Sequence, residues 1–377
     1  MKKTYDILLI YGFSRLHPYY LNIIKYLAKG KNIGVCVLDT NKYIVSADSK
    51  RIDKLQNTEN AFMEFCKELG ADLIYPDEEI KAGNELIANI LFVPQIKLSM
   101  DGLELIKNSI KYNNIIGIQT FGYGKNLLDD LFSMGCRKFF VYDRNIFTKV
   151  IQSEKREDLL DKFEIIEMGA PYRKYPLWPE NEIAEIDYLI ALPTLVFLKN
   201  PKKRYDLVKN IYNLLGKLNQ DDKVAIKLHN VKDGGNKYLK ETHFRFVPLG
   251  IFSAKFLGRR GYDLASAIFY KNILDRAEAL QNITPYFNFG LELFLPYVKK
   301  GVITGISTVL WHCLYNKIAV YNCDNQPFGE DLPNYPGYKN FYIPYCEGRI
   351  PFDEQYYDKI SDSAKKADLI ELIKEEL

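Results

Sequence analysis

The sequence predicts an α/β protein made of two doubly wound domains, and three observations carry that expectation. Short continuous apolar runs alternate with amphipathic helical stretches along nearly the whole chain, the signature of βαβ units around parallel sheets. The alternation lapses once, over residues 172–185, where Pro176 and Pro179 sit among charges with few periodic apolar positions. The chain has 377 residues, a length that favours two domains over one.

The first series begins with the run Asp6–Tyr11, followed by Gly12 and a helical pattern over Pro18–Ala28. Strands are expected at Ile33–Leu38, Asp72–Tyr75, Ile90–Val93, Ile115–Gln119, Lys138–Tyr142 and Glu164–Met168, with a helix at Thr58–Leu69. Residues 1–171 form the expected N-terminal domain. The second series, in the expected domain 187–377, has strands at Asp187–Leu192, Lys223–Leu228, Gly301–Thr304 and Lys317–Tyr321, with helices at Arg204–Leu218 and Ser307–Leu314. A C-terminal helix is expected to cross back.

Composition narrows the function classes. Hydrophobic residues make up 47% and charged residues 26%, which excludes a disordered chain. The net charge of +3 argues against a nucleic-acid binder. Basic residues cluster locally, at Lys199, Lys202, Lys203 and Arg204 and at Arg259 and Arg260. These read as solvated faces or as contacts to anionic headgroups at the inner membrane. The six cysteines, at 36, 66, 136, 313, 323 and 346, form no CxxC pair and read as buried thiols of a reducing compartment. The run Ile7–Ile10 is too short for a signal peptide, and no stretch approaches the length of a membrane span. The expected location is cytoplasmic, with peripheral contact to the membrane.

Three local patterns in the second half point to chemistry. Lys227-Leu-His229-Asn230 ends a strand, with Lys227 and His229 two residues apart and so on one face. An imidazole there donates to a phosphate or, alternatively, caps a loop carbonyl. Thr304-Gly305-Ile306-Ser307-Thr308 runs from a strand through a tight turn into a helix whose free N–H groups suit an anion, or which Ser307 merely caps. Glu292 lies among Leu291, Leu293, Phe294 and Leu295, where a carboxylate needs partners such as two ribose hydroxyls; the alternative is a helix-surface Glu.

The order of these patterns resembles the C-terminal half of bacterial GT-B sialyltransferases and related capsule transferases, which carry Lys-x-His-Pro, a Glu-bearing segment and a Ser-Ser or Ser-Thr pair. The stretch Gly305–Tyr321 is also similar to CDP-glycerol glycerophosphotransferases. The resemblance covers mainly residues 187–325. It implies a GT-B fold with a cleft between two Rossmann-like domains. It also implies a cytidine-nucleotide site in which His229, Ser307 and Thr308 hold phosphate and Glu292 contacts the nucleotide, with Lys227, Asn230 and Gly305 beside them. Asn230 replaces the family's Pro, and Thr308 replaces its second Ser. Gln119-Thr-Phe-Gly122 stands where the families show an acidic or His residue before Gly.

The implied activity is transfer of a sialic-acid-like or Kdo-like sugar from a CMP donor to a cell-surface glycan or glycolipid. The alternatives are polyol-phosphate transfer from a CDP donor and a non-catalytic nucleotide- or glycan-binding relic. The catalytic base is expected in the N-terminal half, with two candidates. One is His17 in Ser14-Arg-Leu-His-Pro18; the other is Asp101 in Ser99-Met-Asp-Gly102, which alternatively caps a helix. With no DxD motif and four dispersed histidines, no metal and no separate cofactor are expected, helix dipoles and side chains taking the ion's place.

Overall fold

The computed structural model describes residues 1–12, 17–44, 56–94, 98–119, 127–141, 144–153, 155–168, 175–179, 182–192, 200–227, 258–284, 289–305, 309, 312–313, 316, 318–323 and 369–377. The chain forms two compact α/β units that divide between residues 171 and 172.

Unit 1 is built on β1 (Lys2–Tyr11), β2 (Ile33–Val37), β3 (Asp72–Ile74), β4 (Glu85–Pro94), β5 (Ile110–Ile118), β6 (Lys138–Val141) and β7 (Glu164–Glu167). They make one sheet in the order β3-β2-β1-β4-β5-β6-β7, every neighbouring pair parallel. This is the Rossmann order, reversing at β1 and β4. β1 lies central, so both its faces are covered, and its run Ile7–Ile10 is fully buried. Helices α1 (His17–Leu27), α2 (Thr40–Tyr43), α3 (Gln56–Glu68), α4 (Pro76–Lys81), α5 (Met100–Ser109), α6 (Leu127–Ser133) and α7 (Arg144–Ser153) connect the strands. The buried Tyr20 on α1 donates its hydroxyl to the Ile10 carbonyl at 2.6 Å, fixing the helix against the strand it follows. Tyr11 stacks on Phe62 of α3 with centroids 4.5 Å apart, and Phe139 packs against Phe147 and Phe163.

Unit 2 is built on β8 (Ile186–Ala191), β9 (Val224–Lys227), β10 (Glu278–Ala279), β11 (Val298–Thr304) and β12 (Val320–Asn322). The sheet is parallel, in the order β10-β9-β8-β11-β12, again a Rossmann order, reversing at β8 and β11. Helix α8 (Pro201–Leu215) begins at Asn200, whose side chain accepts from the N–H groups of Lys202 and Lys203, with Pro201 at the first helical position. It buries Leu207, Val208, Ile211, Leu214 and Leu215, one stripe at helical spacing. Along it packs α9 (Gly258–Arg276), through Tyr205 against Tyr262 and Phe269 and through Tyr212 against Phe269. α10 (Leu280–Ile283) and a 3₁₀ stretch, Leu291–Tyr297, lead into β11. In β11 a Cβ on Gly301 would lie 2.9 Å from the Ala319 carbonyl oxygen and 2.8 Å from the Tyr321 ring, so this crossing takes only glycine.

Two sequence expectations change here. The C-terminal helix expected to cross back is α11 (Leu369–Glu376), which belongs with unit 1, so the expected domain 187–377 gives up this end of the chain. Its Leu369, Ile370 and Ile373 are buried, and Glu376 accepts from the Asn114 amide at 2.9 Å and pairs with Lys138. Arg204 was expected in a solvated basic cluster. Instead it is buried and pairs with Asp263 of α9 at 2.6 Å, while Lys202 pairs with Asp206. The side chains of Arg259 and Arg260, and Lys199, lie outside the described residues.

The described cysteines, Cys36, Cys66, Cys136, Cys313 and Cys323, are free and buried, in keeping with the sequence reading. Among the described residues no helix is long and apolar enough to cross a membrane.

Candidate functional site

Parallel register aligns the ends of four strands in unit 2. Lys227 of β9 pairs with Ala191 of β8, Ala191 with Thr304 of β11, and Thr304 with Asn322 of β12. The row beneath is Ile226, Ile190, Ile303 and Tyr321, and beneath that lie Ala225, Leu189, Val302 and Val320. The sheet therefore changes from apolar to polar at its carboxyl edge, astride the β8/β11 reversal where open α/β sheets take ligands. Lys227, Thr304 and Asn322 are all buried. Buried polar groups need partners. Thr304 donates its hydroxyl to the Ala191 carbonyl at 2.7 Å, tying the two reversal strands together.

Lys227 is the charged member of the row. Its ammonium lies 5.6 Å from the centroid of the Phe294 ring, a cation–π arrangement. Phe294 is fully buried and stacks on Trp178, with centroids 5.3 Å apart and planes 24° from parallel. Trp178 is held in turn by Tyr297, whose hydroxyl donates to the Trp178 carbonyl at 2.6 Å and accepts from its N–H at 2.9 Å. Desolvation pushes the Lys227 amine down to about 8, while the Glu292 charge holds it up.

Glu292 comes from the first turn of the 3₁₀ stretch and keeps 20% of its side chain exposed. Its Oε1 is 3.6 Å from Nε2 of His312. His312 is fully buried, and desolvation pushes its imidazole down to about 3, so it is neutral at neutral pH. Its backbone carbonyl accepts from the Asn316 side chain at 2.7 Å. Burial, reinforced by Glu292, raises the neighbouring Cys313 thiol well above its usual range, which leaves it unreactive.

Of the residues singled out in the sequence, Lys227 ends β9 in the polar row, Glu292 opens the 3₁₀ stretch and its charge acts on the Lys227 amine, and Gly305 follows Thr304, buried in a bend. Val309, His312 and Cys313 are helical, as the strand–turn–helix pattern requires. His229, Asn230, Ser307 and Thr308 lie outside the described residues. In unit 1, His17 opens α1, the helix that follows β1, with its side chain outside the described residues. Asp101 lies in the first turn of α5, the helix that follows β4, and is exposed. It does not cap that helix: Ser99 does, accepting from the Gly102 N–H at 3.1 Å. Gln119, in the segment that stands where the families show an acidic or His residue, is buried, and its backbone N–H donates to the Phe140 carbonyl at 2.8 Å.

Sequence reasoning missed His312, Asn322 and Trp178 as members of this cluster. The signal for His312 was available: a polar residue inside the run Val309–Leu314, the same anomaly that singled out Glu292.

Fold and site together define a protein of two Rossmann-like units, with a buried polar cluster at the carboxyl edge of the second sheet. No protein-family model and no curated protein match the sequence. Among solved structures, the chain is similar to a UDP-glucosyltransferase from Polygonum tinctorium capable of glucosylating indoxyl, in complex with 3,4-dichloroaniline. The identity is 8%, over 98% of this chain and 92% of that one, with a TM-score of 0.39.

Proposed function

We propose that the chain is a GT-B-type glycosyltransferase that moves a sialic-acid-like or Kdo-like sugar from a CMP donor to a cell-surface glycan or glycolipid. Unit 2 binds the donor and unit 1 the acceptor. The observation that carries this reading is the polar row at the carboxyl edge of the five-stranded sheet, with Glu292 beside it.

The remaining residues of the motif follow directly from that row in the chain. His229 stands two residues beyond Lys227, and Ser307 and Thr308 stand three and four beyond Thr304. In this reading the N–H groups and hydroxyls at Ser307 and Thr308 receive the phosphate, and the ribose hydroxyls donate to Glu292. His229 donates to the phosphate as negative charge grows on the departing CMP, so its contribution is larger in the transition state than in the ground state. A base, His17 or Asp101, takes the acceptor hydroxyl's proton. Positive dipole ends and side chains neutralise the phosphate without a metal ion. The enzyme works in the cytoplasm, at the inner face of the membrane.

The test is a thermal-shift comparison of CMP, CDP, UDP and GDP, followed by turnover of a CMP-sugar. A ligand at a hundredfold its dissociation constant stabilises by about 2.7 kcal/mol. Cytidine nucleotides are expected to give that shift, and uridine and guanosine nucleotides little. His229→Ala is expected to reduce turnover about a hundredfold while weakening CMP binding far less. Preference for UDP, or full activity in His229→Ala, overturns the reading; turnover of CDP-glycerol in place of a CMP-sugar redirects it to polyol-phosphate transfer.

A further inference from the structure

The fold brings together two basic clusters that lie far apart in the sequence. Helices α8 and α9 pack in parallel. Arg204 and Tyr205, near the start of α8, meet Asp263 and Tyr262, near the start of α9, and Tyr212 further along meets Phe269. α8 follows the carboxyl end of β8, and Arg276, which ends α9, donates to the carbonyls of Asn219 and Asp222 just before β9. Both helices therefore start at the carboxyl edge of the five-stranded sheet. Lys202 and Lys203 in the first turn of α8 and Arg259 and Arg260 in the first turn of α9 share that end.

The charge there is one-sided. Residues 201–209 and 258–265 carry Lys202, Lys203, Arg204, Lys209, Arg259 and Arg260 against two carboxylates, Asp206 and Asp263. Asp206 is taken by Lys202 at 2.9 Å and Asp263 by the buried Arg204 at 2.6 Å, so the excess is positive. Lys202 and Lys203 are exposed. From this end a row of rings runs along the helix seam: Tyr262, Tyr205, Phe269 and Tyr212, with successive centroids 5.4, 5.9 and 5.0 Å apart. The first three are half-buried and Tyr212 is exposed, and the Lys209 amine lies 5.6 Å from the centre of the Tyr205 ring.

We propose that this end of the α8–α9 pair is a docking surface for an anionic phospholipid bilayer, with the basic residues meeting the headgroups and the tyrosine row lying at the interface. The proposal goes beyond donor binding and stands without it.

The two halves of the surface suit the two layers of such an interface. A basic residue near an anionic leaflet strengthens binding by about fivefold. Tyrosine has an apolar ring and a hydroxyl that stays wet, which places it at headgroup depth. Lysine keeps its amine in water while its stem covers apolar surface, as the contact of Lys209 with Tyr205 allows. Nucleic-acid phosphates would also meet the positive charge, but the rings argue against them. They tilt by 44–57° against one another, whereas a single strand stacks its bases on bare ring faces. A net charge of +3 for the whole chain is also far below that of a nucleic-acid binder.

The experiment is co-sedimentation of the full chain with vesicles of phosphatidylcholine alone and of equal parts phosphatidylcholine and phosphatidylglycerol. Binding is expected to the mixed vesicles, weakening as salt rises, with little to the neutral ones. Lys202→Gln with Lys203→Gln, and Arg259→Gln with Arg260→Gln, are each expected to lower the partition by about fivefold per residue and to flatten its salt dependence. The pairs lie on different helices, so either decides if the other is unstable. Tyr212→Ser is expected to cause a loss that salt does not change. Lys223→Gln with Lys299→Gln removes two exposed amines that share Glu185 at the opposite edge of the same sheet, and is expected to leave the partition in place. Equal binding to both kinds of vesicle, or as large a loss in this control pair, overturns the proposal. So does a chain that ignores vesicles but holds an oligonucleotide through the same basic residues.

Discussion

The two units share a strand order yet finish their sheets differently. At the carboxyl edge of unit 1 the central strands end on Tyr11 paired with Val37 and Pro94 paired with Ile118, continuing the apolar core to the rim, and a carboxylate, Glu167 paired with Val141, stands only on the outermost strand. At the same edge of unit 2 stand Lys227, Thr304 and Asn322. The interiors follow suit. Among the described residues the buried polar side chains of unit 1 are Asn22 and Gln119, both uncharged, whereas unit 2 buries Arg204, Asp222, Lys227 and His312 along with several amides and hydroxyls. A strand order builds the frame of a ligand site, but the chemistry comes from what the last row of side chains is made of. Burying charged and polar groups opposes stability unless they are paired, so they mark where unit 2 departs from simple packing.

The largest expected effect that sharpens this contrast is the acid sensitivity that a buried imidazole gives unit 2. His312 has a folded value of about 3 against an ordinary 6.5, so between those values the unfolded chain takes up a proton that the folded one refuses. Stability contributed by the neutral buried ring is complete above pH 6.5 and is lost as pH falls toward 3, by roughly 5 kcal/mol over the full window. Denaturant unfolding at a series of pH values is expected to show a shallower acid slope in His312→Leu. An identical slope in both proteins would remove His312 from the comparison.

Next comes the alkaline side. Lys227 has a folded value of about 8 against an ordinary 10.5, and again the unfolded chain holds the extra proton between them. Stability is therefore expected to rise from pH 8 toward 10.5 by about 3 kcal/mol, an increment that Lys227→Met lacks. The same unfolding series, extended upward, reads it. A wild-type curve that falls through this window to the same degree as the variant would show that the amine is not desolvated.

The smallest effect is expected in unit 1, where the charges lie outside. Arg156 grips Asp129 through two hydrogen bonds, at 2.7 and 2.9 Å, and Asp158 at 3.0 Å, all in contact with water. Such networks are screened and contribute little. Arg156→Ala is expected to move the thermal midpoint barely at all, and less still in high salt. A large drop would mean that unit 1, too, depends on charge.

Much of this contrast was written in the sequence. Most strands were legible because their centres are continuous apolar runs buried on both faces, as in Ile7–Ile10 and Leu189–Ala191. The polar beginnings of β4 and β5, with Glu85, Asn89, Lys111 and Asn113, hid the first half of each strand. β10 is two residues long, too short for any period to register. α9 was missed because Ala265, Ala267, Ile268, Tyr270 and Ile273 are buried on more than one side, which blurs the single stripe that marks a surface helix. For the site, Lys227 and Glu292 were legible as polar residues in apolar runs. That Arg204 turns inward depends on Asp263, 59 residues away on α9, and no local pattern carries a partner at that distance.

The C-terminal helix has a consequence for how the molecule is made. Asn114 and Lys138 face Glu376, which is 262 and 238 residues later in the chain. Both strands that carry them leave the ribosome long before their partner is synthesised, at rates of about 5–20 residues per second. Unit 1 thus waits, its sheet formed but the ground beneath α11 still bare, while the whole of unit 2 is translated.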